Sequence, residues 1–252
     1  MDWIGTAGWS LPRPVAACFP EGASNLARYA QVLTAVEINS SFYRPHRRST
    51  YERWAAATPA GFAFAVKAPK SVTHERRLRD AETPLRQFLD EVAGLGGKLG
   101  AVLIQLPPSL AFDDTAAAFF RTWRALHHGP TACEPRHASW FTDEVDGVLE
   151  AARIARVAAD PAVVSRAAEP GGWRGLTYLR LHGSPRMYAS SYGPDNLAAL
   201  AQTLARRPRG TEGWCIFDNT LSGAAAENAL ALLGSRRSAT QRQTNLTDAG
   251  PP

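Results

Sequence analysis

The chain has 252 residues, 45% hydrophobic and 20% charged, with a formal net charge of +5 and a pI of about 9.4. That balance belongs to a globular protein able to bury a core, and no apolar run approaches the ~18 residues a membrane span needs. The positive surplus is mild, two units of it in residues 235–252, so it favours anionic ligands without marking a nucleic-acid surface.

Residues 3–6 read as a short strand, followed by Ala7-Gly8-Trp9. Residues 24–34 have helical spacing with Ser24 as a cap. A second strand, 35–39, puts Glu37 and Asn39 on one face, with Ser40, Ser41, Phe42 and Tyr43 beyond it. A helix over 49–57 ends at Thr58-Pro59. The third strand, 62–67, alternates cleanly: Phe62, Phe64 and Val66 face one way, Ala63, Ala65 and Lys67 the other. In a closed barrel the crowded axis favours the small residues, which makes Lys67 an inward charge at the tip. A helix over 83–94 precedes strand 101–105, which ends at Gln105 before Leu106-Pro107-Pro108. A helix from about 114 to 125 leads into strand 131–134. Glu134 and Arg136 share strand parity there, with His137 and Trp140 just beyond. Next come a helix over 142–152 capped by Thr142, strand 156–160 ending in Asp160, and a polar loop over 165–175. Strand 178–182 has Tyr178, Arg180 and His182 on one side. After the loop 184–192 come a helix over 195–206, strand 214–218 ending at Asp218 before Asn219, and a helix over about 223–233. Residues 235–252 are polar and aperiodic, which predicts a disordered tail.

Eight strands alternating with helices, without a composition break, predict one α/β domain over residues 1–234: a parallel TIM-type (β/α)8 barrel. A doubly wound sheet shares the alternation, but the glycine-rich phosphate loop that would mark one is missing. Gly94-Leu95-Gly96-Gly97 precedes a strand instead of following one. Cys18, Cys133 and Cys215 form no CxxC pair and read as reduced thiols of a cytoplasmic protein. The first residues, Met-Asp-Trp-Ile-Gly, lack the features of a secretory signal.

A parallel barrel gathers its C-terminal strand tips at one mouth. The tips here carry Glu37, Asn39, Lys67, Gln105, Glu134, Arg136, Asp160, Arg180, His182, Asp218 and Asn219. Unpaired, each buried charge would cost several kcal/mol, so these groups either form a structural ion-pair network or face a wet ligand pocket. Trp9, Phe42, Tyr43, Trp140, Tyr188 and Tyr192 lie just beyond the tips, able to wall a pocket for a sugar or a base or else to pack loops. Glu37, Glu134, Asp160, His182 and Asp218 are ligand types for a divalent ion. Four carboxylates against Lys67, Arg136 and Arg180 leave only about one negative charge, so no cofactor is expected. Acid–base chemistry fits better: Glu134 with Asp160, or Glu37 with Asp218, as acid and base, and His182 as proton shuttle. Lys67 invites a Schiff base, against the alternative of an ion pair with Glu37 on the adjacent strand. Two basic loops, Arg44 to Arg48 and Lys70 to Arg79 with His74, flank the mouth; phosphate binding and a solvated helix face explain them equally.

Taken together, Ile-Gly-Thr-Ala-Gly-Trp (4–9), Val-Glu-Ile-Asn-Ser-Ser-Phe-Tyr (36–43), Phe-Ala-Val-Lys-Ala-Pro-Lys (64–70) with Thr73-His74, and Gln-Leu-Pro-Pro-Ser (105–109) form a specific set. Glu-Pro-Arg-His-Ala-Ser-Trp (134–140), Ala-Asp-Pro-Ala (159–162), Leu-Arg-Leu-His-Gly-Ser (179–184) and Phe-Asp-Asn-Thr (217–220) extend it. The set closely resembles the domain-of-unknown-function 72 family, the YecE-like proteins. The resemblance implies a TIM-type barrel and no particular reaction. Its likeness to endonuclease IV and sugar-isomerase barrels, which use metal centres, is a fold-level analogy only.

The expectation is an enzyme acting on a small anionic or sugar-like ligand at the mouth. Glu37, Lys67, Glu134, Asp160, His182 and Asp218 would do the chemistry. Trp9, Asn39, Tyr43, His74, Gln105, Arg136, His137, Trp140, Arg180, Tyr188, Tyr192 and Asn219 would bind the substrate. The alternatives are a nucleic-acid-binding protein or endonuclease IV-like nuclease using the basic loops, and a non-catalytic ligand-binding protein. No membrane partner is expected, and the oligomeric state is not readable from the sequence.

Overall fold

Small residues inward and large ones outward set the curvature of the sheet. In β3 (Ala63–Lys67), Ala63 and Ala65 face the barrel axis, while Phe64 and Val66 pack in the outer layer against the helices. The same parity holds in β2 (Ala35–Ile38), β4 (Leu99–Gln105) and β5 (Thr131–Glu134), where Ala35, Ala101, Leu103 and Ala132 line the inside. The computed structural model describes residues 1–248, with side chains through Arg236.

One ten-stranded sheet runs in the order β7-β9-β10-β1-β2-β3-β4-β5-β6-β8. Here β1 is Asp2–Ala7, β6 Ala155–Arg156, β7 Ala158–Asp160, β8 Gly171–Gly172, β9 Leu176–Leu181 and β10 Glu212–Phe217. Its ends meet because β6 and β7 are two pieces of one stave divided at Val157. β6 pairs with β5, and β7 pairs with β9. Val157 N–H donates to the Cys133 carbonyl at 2.8 Å, bridging the break. The result is a parallel barrel of eight staves in a single α/β domain, with β8 added antiparallel to β6.

Helices cover the outside. Asp113 and Thr142 cap α5 (Asp114–Leu126) and α6 (Asp143–Ala151) by accepting from Ala116 N and Val145 N. The helix α1 spans Asn25–Tyr29, shorter than the spacing over 24–34 predicts, and the Tyr29 hydroxyl at its end accepts from Thr6 N and donates to the Ala35 carbonyl. One further turn, α2 (Ser40–Tyr43), sits on the tip of β2, ahead of α3 (Arg48–Ala56) and α4 (Glu82–Val92). The expected loop over 165–175 instead holds a short helix, Ser165–Ala168, and β8. Both are organised by Arg156, whose guanidinium donates to the carbonyls of Arg166 and Glu169 and to Asp146. After α7 (Pro194–Arg206), α8 runs Ala224–Asp248, past the expected end at 233 and into the expected tail; no proline occurs between 234 and 250 to stop it. Residues 249–252 lie outside the described residues.

At the base of the barrel Trp214 and Tyr178 stack with ring centroids 5.9 Å apart and planes within 5°. Leu103, Val157, Leu176 and Ile216 fill the layer around them. This plug closes the interior from below and leaves the C-terminal mouth as the open end.

Candidate functional site

Above the plug, inward positions one step further along the staves carry charge. Arg180 follows Tyr178 on β9, Glu37 follows Ala35 on β2, Glu134 follows Ala132 on β5, and Lys67 follows Ala65 on β3. Asp218 and His182 extend β10 and β9 by the same alternation. Glu37, Glu134, Arg180 and His182 are each 0–2% exposed.

Arg180 is the hub. Its Nε lies 3.1 Å from both oxygens of Glu37, and its Nη2 donates to Glu37 Oε1 at 2.7 Å and to Asp218 Oδ2 at 3.1 Å. Nη1 donates to Glu134 Oε2 at 2.9 Å. The Tyr178 hydroxyl donates to Glu37 Oε2 at 2.8 Å, so the stacked plug ring also orients a carboxylate. His182 bridges the two other acids, with Nδ1 2.9 Å from Asp218 Oδ2 and Nε2 2.8 Å from Glu134 Oε1. Arg136 Nη2 lies 2.6 Å from both Glu134 Oε1 and His182 Nε2.

These contacts fix the charges. Burial opposes ionisation of Glu134, but Arg180, His182 and Arg136 hold its carboxyl well below the usual range. Burial likewise opposes ionisation of Asp218, and Arg180 and His182 outweigh it. For His182 burial disfavours the imidazolium, yet Glu134 and Asp218 raise it above the ordinary value. Lys67 goes the other way. Burial and the Arg180 charge bring its amine down to about 8, against the pull of Glu37, Glu134 and Asp218.

The expected Lys67–Glu37 ion pair does not form: among the described residues no carboxylate oxygen lies within 4.0 Å of the amine. Instead Nζ sits 4.0 Å from the centroid of the Phe42 ring, which His74 meets edge-on at 4.9 Å. Two open depressions flank the cup. One, of about 260 Å³, is lined by Thr6, Gly8, Ser10 and Thr220; the other, of about 270 Å³, by Phe42, Tyr43, Arg44 and Lys70.

Seven expected residues therefore meet in one cup: Glu37, Lys67, Glu134, Arg136, Arg180, His182 and Asp218. Tyr188, exposed at 43%, lays its ring edge-on to His182 at 5.8 Å. Gln105 reaches the mouth beside Glu134, but its amide donates to the Leu106 carbonyl at 2.6 Å. Asn39 is partly buried at the tip of β2, and its Oδ1 has no partner. Tyr43 is exposed against Phe42, and Trp9 packs on Trp54 with centroids 5.2 Å apart.

Five expectations are corrected. Asp160 is not in the cup. It pairs in register with Leu181, on the outer parity, and its Oδ2 accepts from the Tyr192 hydroxyl at 2.6 Å. Tyr192 is consequently a buried anchor for the loop after β9, also accepting from Gly183 N at 2.8 Å. Trp140 is fully buried in the outer core, donating to the Leu110 carbonyl. His137 caps the turn Ala138–Trp140 by accepting from Ser139 N. Asn219 is buried and donates to the Ser190 carbonyl and to Asn228 Oδ1, both at 2.9 Å. Asn228 of α8 completes that anchorage: its side chain exchanges hydrogen bonds with the Tyr192 backbone, N to Oδ1 at 3.1 Å and Nδ2 to O at 3.0 Å. Tyr178 was missed as a site residue, although it shares parity with Arg180 and His182.

Asp160's departure alters the charge balance. Three carboxylates now face Lys67, Arg136 and Arg180, which leaves the cup with no surplus of negative charge. The three acids also spend oxygens on one guanidinium, so the cation at their centre is Arg180 itself. A dication would have to displace it, so this donor set fits a metal ion poorly.

The chain is 30% identical over 145 residues to UPF0759 protein YecE of Escherichia coli strain K12, covering 56% of this chain and 50% of that one. It is 29% identical over 150 residues to UPF0759 protein YunF of Bacillus subtilis strain 168, covering 56% and 53%. These matches thus span about half the length of those relatives. A solved DUF72 family protein from Enterococcus faecalis V583 superposes with TM-score 0.81 at 21% identity, over 94% of this chain and 96% of that one. One from Thermotoga maritima MSB8 superposes with TM-score 0.75 at 25% identity, over 93% and 98%. The family described as "Protein of unknown function DUF72" matches residues 3–251, nearly the whole length, and the chain belongs to it.

Proposed function

We propose that the chain is an enzyme that binds a small anionic, sugar-like molecule in the barrel mouth and transfers protons there. The observation that carries this reading is Lys67: an amine at the mouth with no carboxylate partner among the described residues, brought to about 8 by burial and Arg180. At pH 7 about a tenth of such an amine is uncharged, enough to accept a proton in one state and return it in the next. Arg136, whose side chain is 12% exposed and whose Nε has no partner among the described residues, is the anion clamp. Glu134, held ionised by two arginines, is a fixed negative wall and not a proton donor. His182, buried beneath, holds Glu134 and Asp218 in place by donating to both when protonated.

Calorimetric titration with glycerol 3-phosphate and inorganic phosphate tests the reading. Lys67→Met and Arg136→Met should each weaken binding about tenfold, the worth of one charge-assisted hydrogen bond, while melting within a few degrees of the parent. Failure of the parent to bind either probe at millimolar concentration would sink it.

A second reading, a nucleic-acid-binding rim, is favoured by one observation. Arg44, Arg47, Arg76 and Arg79 are exposed and form no ion pair among the described residues, whereas Arg48 and Lys70 are paired to acids.

A further inference from the structure

Of the 28 basic residues in the chain only three are lysine: Lys67, Lys70 and Lys98. Two have visible structural work. Lys98 donates to the carbonyls of Ala55 and Thr58 at 2.6 and 2.5 Å, closing the end of α3. Lys70 pairs with Glu75 at 3.1 Å. Lys67 has no such partner. A site that needed only a fixed positive charge would be served better by arginine, which supplies 25 of the 28 basic residues and cannot lose its proton. What lysine adds is an uncharged nitrogen with a lone pair.

Burial and the Arg180 charge bring that form within reach, against the pull of the three carboxylates and of the Phe42 ring face, 4.0 Å from the amine, which attracts the ammonium. The ring also shields one side of the nitrogen from water, which protects a carbon–nitrogen double bond from hydrolysis. Arg136, in the same cup, supplies a charge for an anionic group on the same molecule.

We propose that Lys67 is a covalent catalyst whose Nζ forms an imine with the carbonyl carbon of a small anionic aldehyde or ketone held in the barrel mouth. This rests on the mouth being the active site, as inferred above, and names its substrate class. The uncharged amine gives its lone pair to the carbonyl carbon, and the C=O π pair moves to oxygen. A proton passes from nitrogen to that oxygen, giving a carbinolamine. The hydroxyl leaves as water after taking a proton from the medium, and the nitrogen lone pair forms the protonated imine. No oxidant or reductant is consumed, and water reverses the sequence. The iminium then draws electrons from the neighbouring carbon, so the reaction class is proton removal or carbon–carbon bond change next to the carbonyl.

Reductive trapping tests this. The full chain is incubated at pH 7 with glyceraldehyde 3-phosphate or dihydroxyacetone phosphate and sodium cyanoborohydride, then mapped by peptide mass spectrometry. The adduct should fall on Lys67 at least about tenfold above Lys70 and Lys98, because anion binding raises the local carbonyl concentration there. Glycerol 3-phosphate, which has no carbonyl, should compete. Labelling of Lys67→Arg should drop to the background of the other two lysines. Equal labelling of all three lysines would overturn the proposal. Absence of the Lys67 adduct while glycerol 3-phosphate still binds would overturn the covalent step and leave the anion site standing. Absence of both adduct and binding would remove both readings.

Discussion

Arg180 holds three carboxylates that would otherwise be buried against one another. Removing one partner of a buried ion network leaves uncompensated charge and typically costs about 3–5 kcal/mol. Arg180→Met should therefore lose that much in urea unfolding. Arg180→Lys should recover little, because a single ammonium cannot span the fork that reaches Glu37, Glu134 and Asp218 together. The same cluster sets a pH profile. Glu134 and Asp218 titrate below their unfolded values, so their stabilisation is complete above the ordinary carboxylate range and is lost as pH falls through it. His182 titrates above its unfolded 6.5, so its contribution is complete below that value and fades as pH rises past the folded one. Above about 8 the lowered Lys67 acts oppositely, since the unfolded chain then binds the extra proton. Melting temperature should thus fall in acid and also decline as pH rises from about 6.5 through the folded His182 value; His182→Gln should abolish the second slope and, because His182 helps hold Glu134 and Asp218 ionised, make the first shallower. Parity made much of this cluster legible, since Glu37, Glu134 and Arg180 follow small or aromatic inward residues by two. Asp160 shows the limit of reading tips by position alone, because the last residue of a stave need not point inward. Ala155, Val157 and Ala159 occupy the inward parity of that stave, which already puts Asp160 outside.

The staves work as supports for these tips. Trp214 stacks under Tyr178, and Tyr178 aims its hydroxyl at Glu37, so the floor of the barrel and the floor of the cup are one packed unit. Trp214→Ala should cost about 3–5 kcal/mol through the cavity it leaves, and it should also disorder Glu37. A Tyr178→Phe control should keep the packing and lose only the hydroxyl's hydrogen bond, about 1 kcal/mol. Strand existence and order were readable because alternation of small and large side chains is local. The split of the sixth stave was not, because its two halves differ only in which neighbour they bond. Nor was the small ordered segment after it, which depends on Arg156 gathering carbonyls ten and thirteen residues downstream.

Around the mouth charge is arranged in two tiers: a compensated cup, and a rim whose Arg44, Arg47, Arg76 and Arg79 form no ion pair among the described residues. If the rim captures polyanions, single-stranded DNA should bind with an affinity falling steeply between about 50 and 200 mM salt. Replacing Arg44, Arg47, Arg76 and Arg79 by glutamine should flatten that slope in a fluorescence titration, and an unchanged slope would confine the protein to small ligands. The barrel was legible as a whole because eight repeats of one pattern leave few alternatives. The fates of Trp140, Tyr192 and Asn219 were not, since each is decided by a loop folding back onto residues far away in the chain. Such folding back gives Asn228 an influence out of proportion to its position. It lies on the last helix and touches no member of the cup, yet its amide pins the backbone of the segment that carries Tyr188 over His182. Asn228→Leu should thus strand the Tyr192 amide and carbonyl and the Asn219 amide, lower the melting temperature by several degrees, and, if the mouth binds anions as proposed, weaken that binding from the outer wall, a helix away.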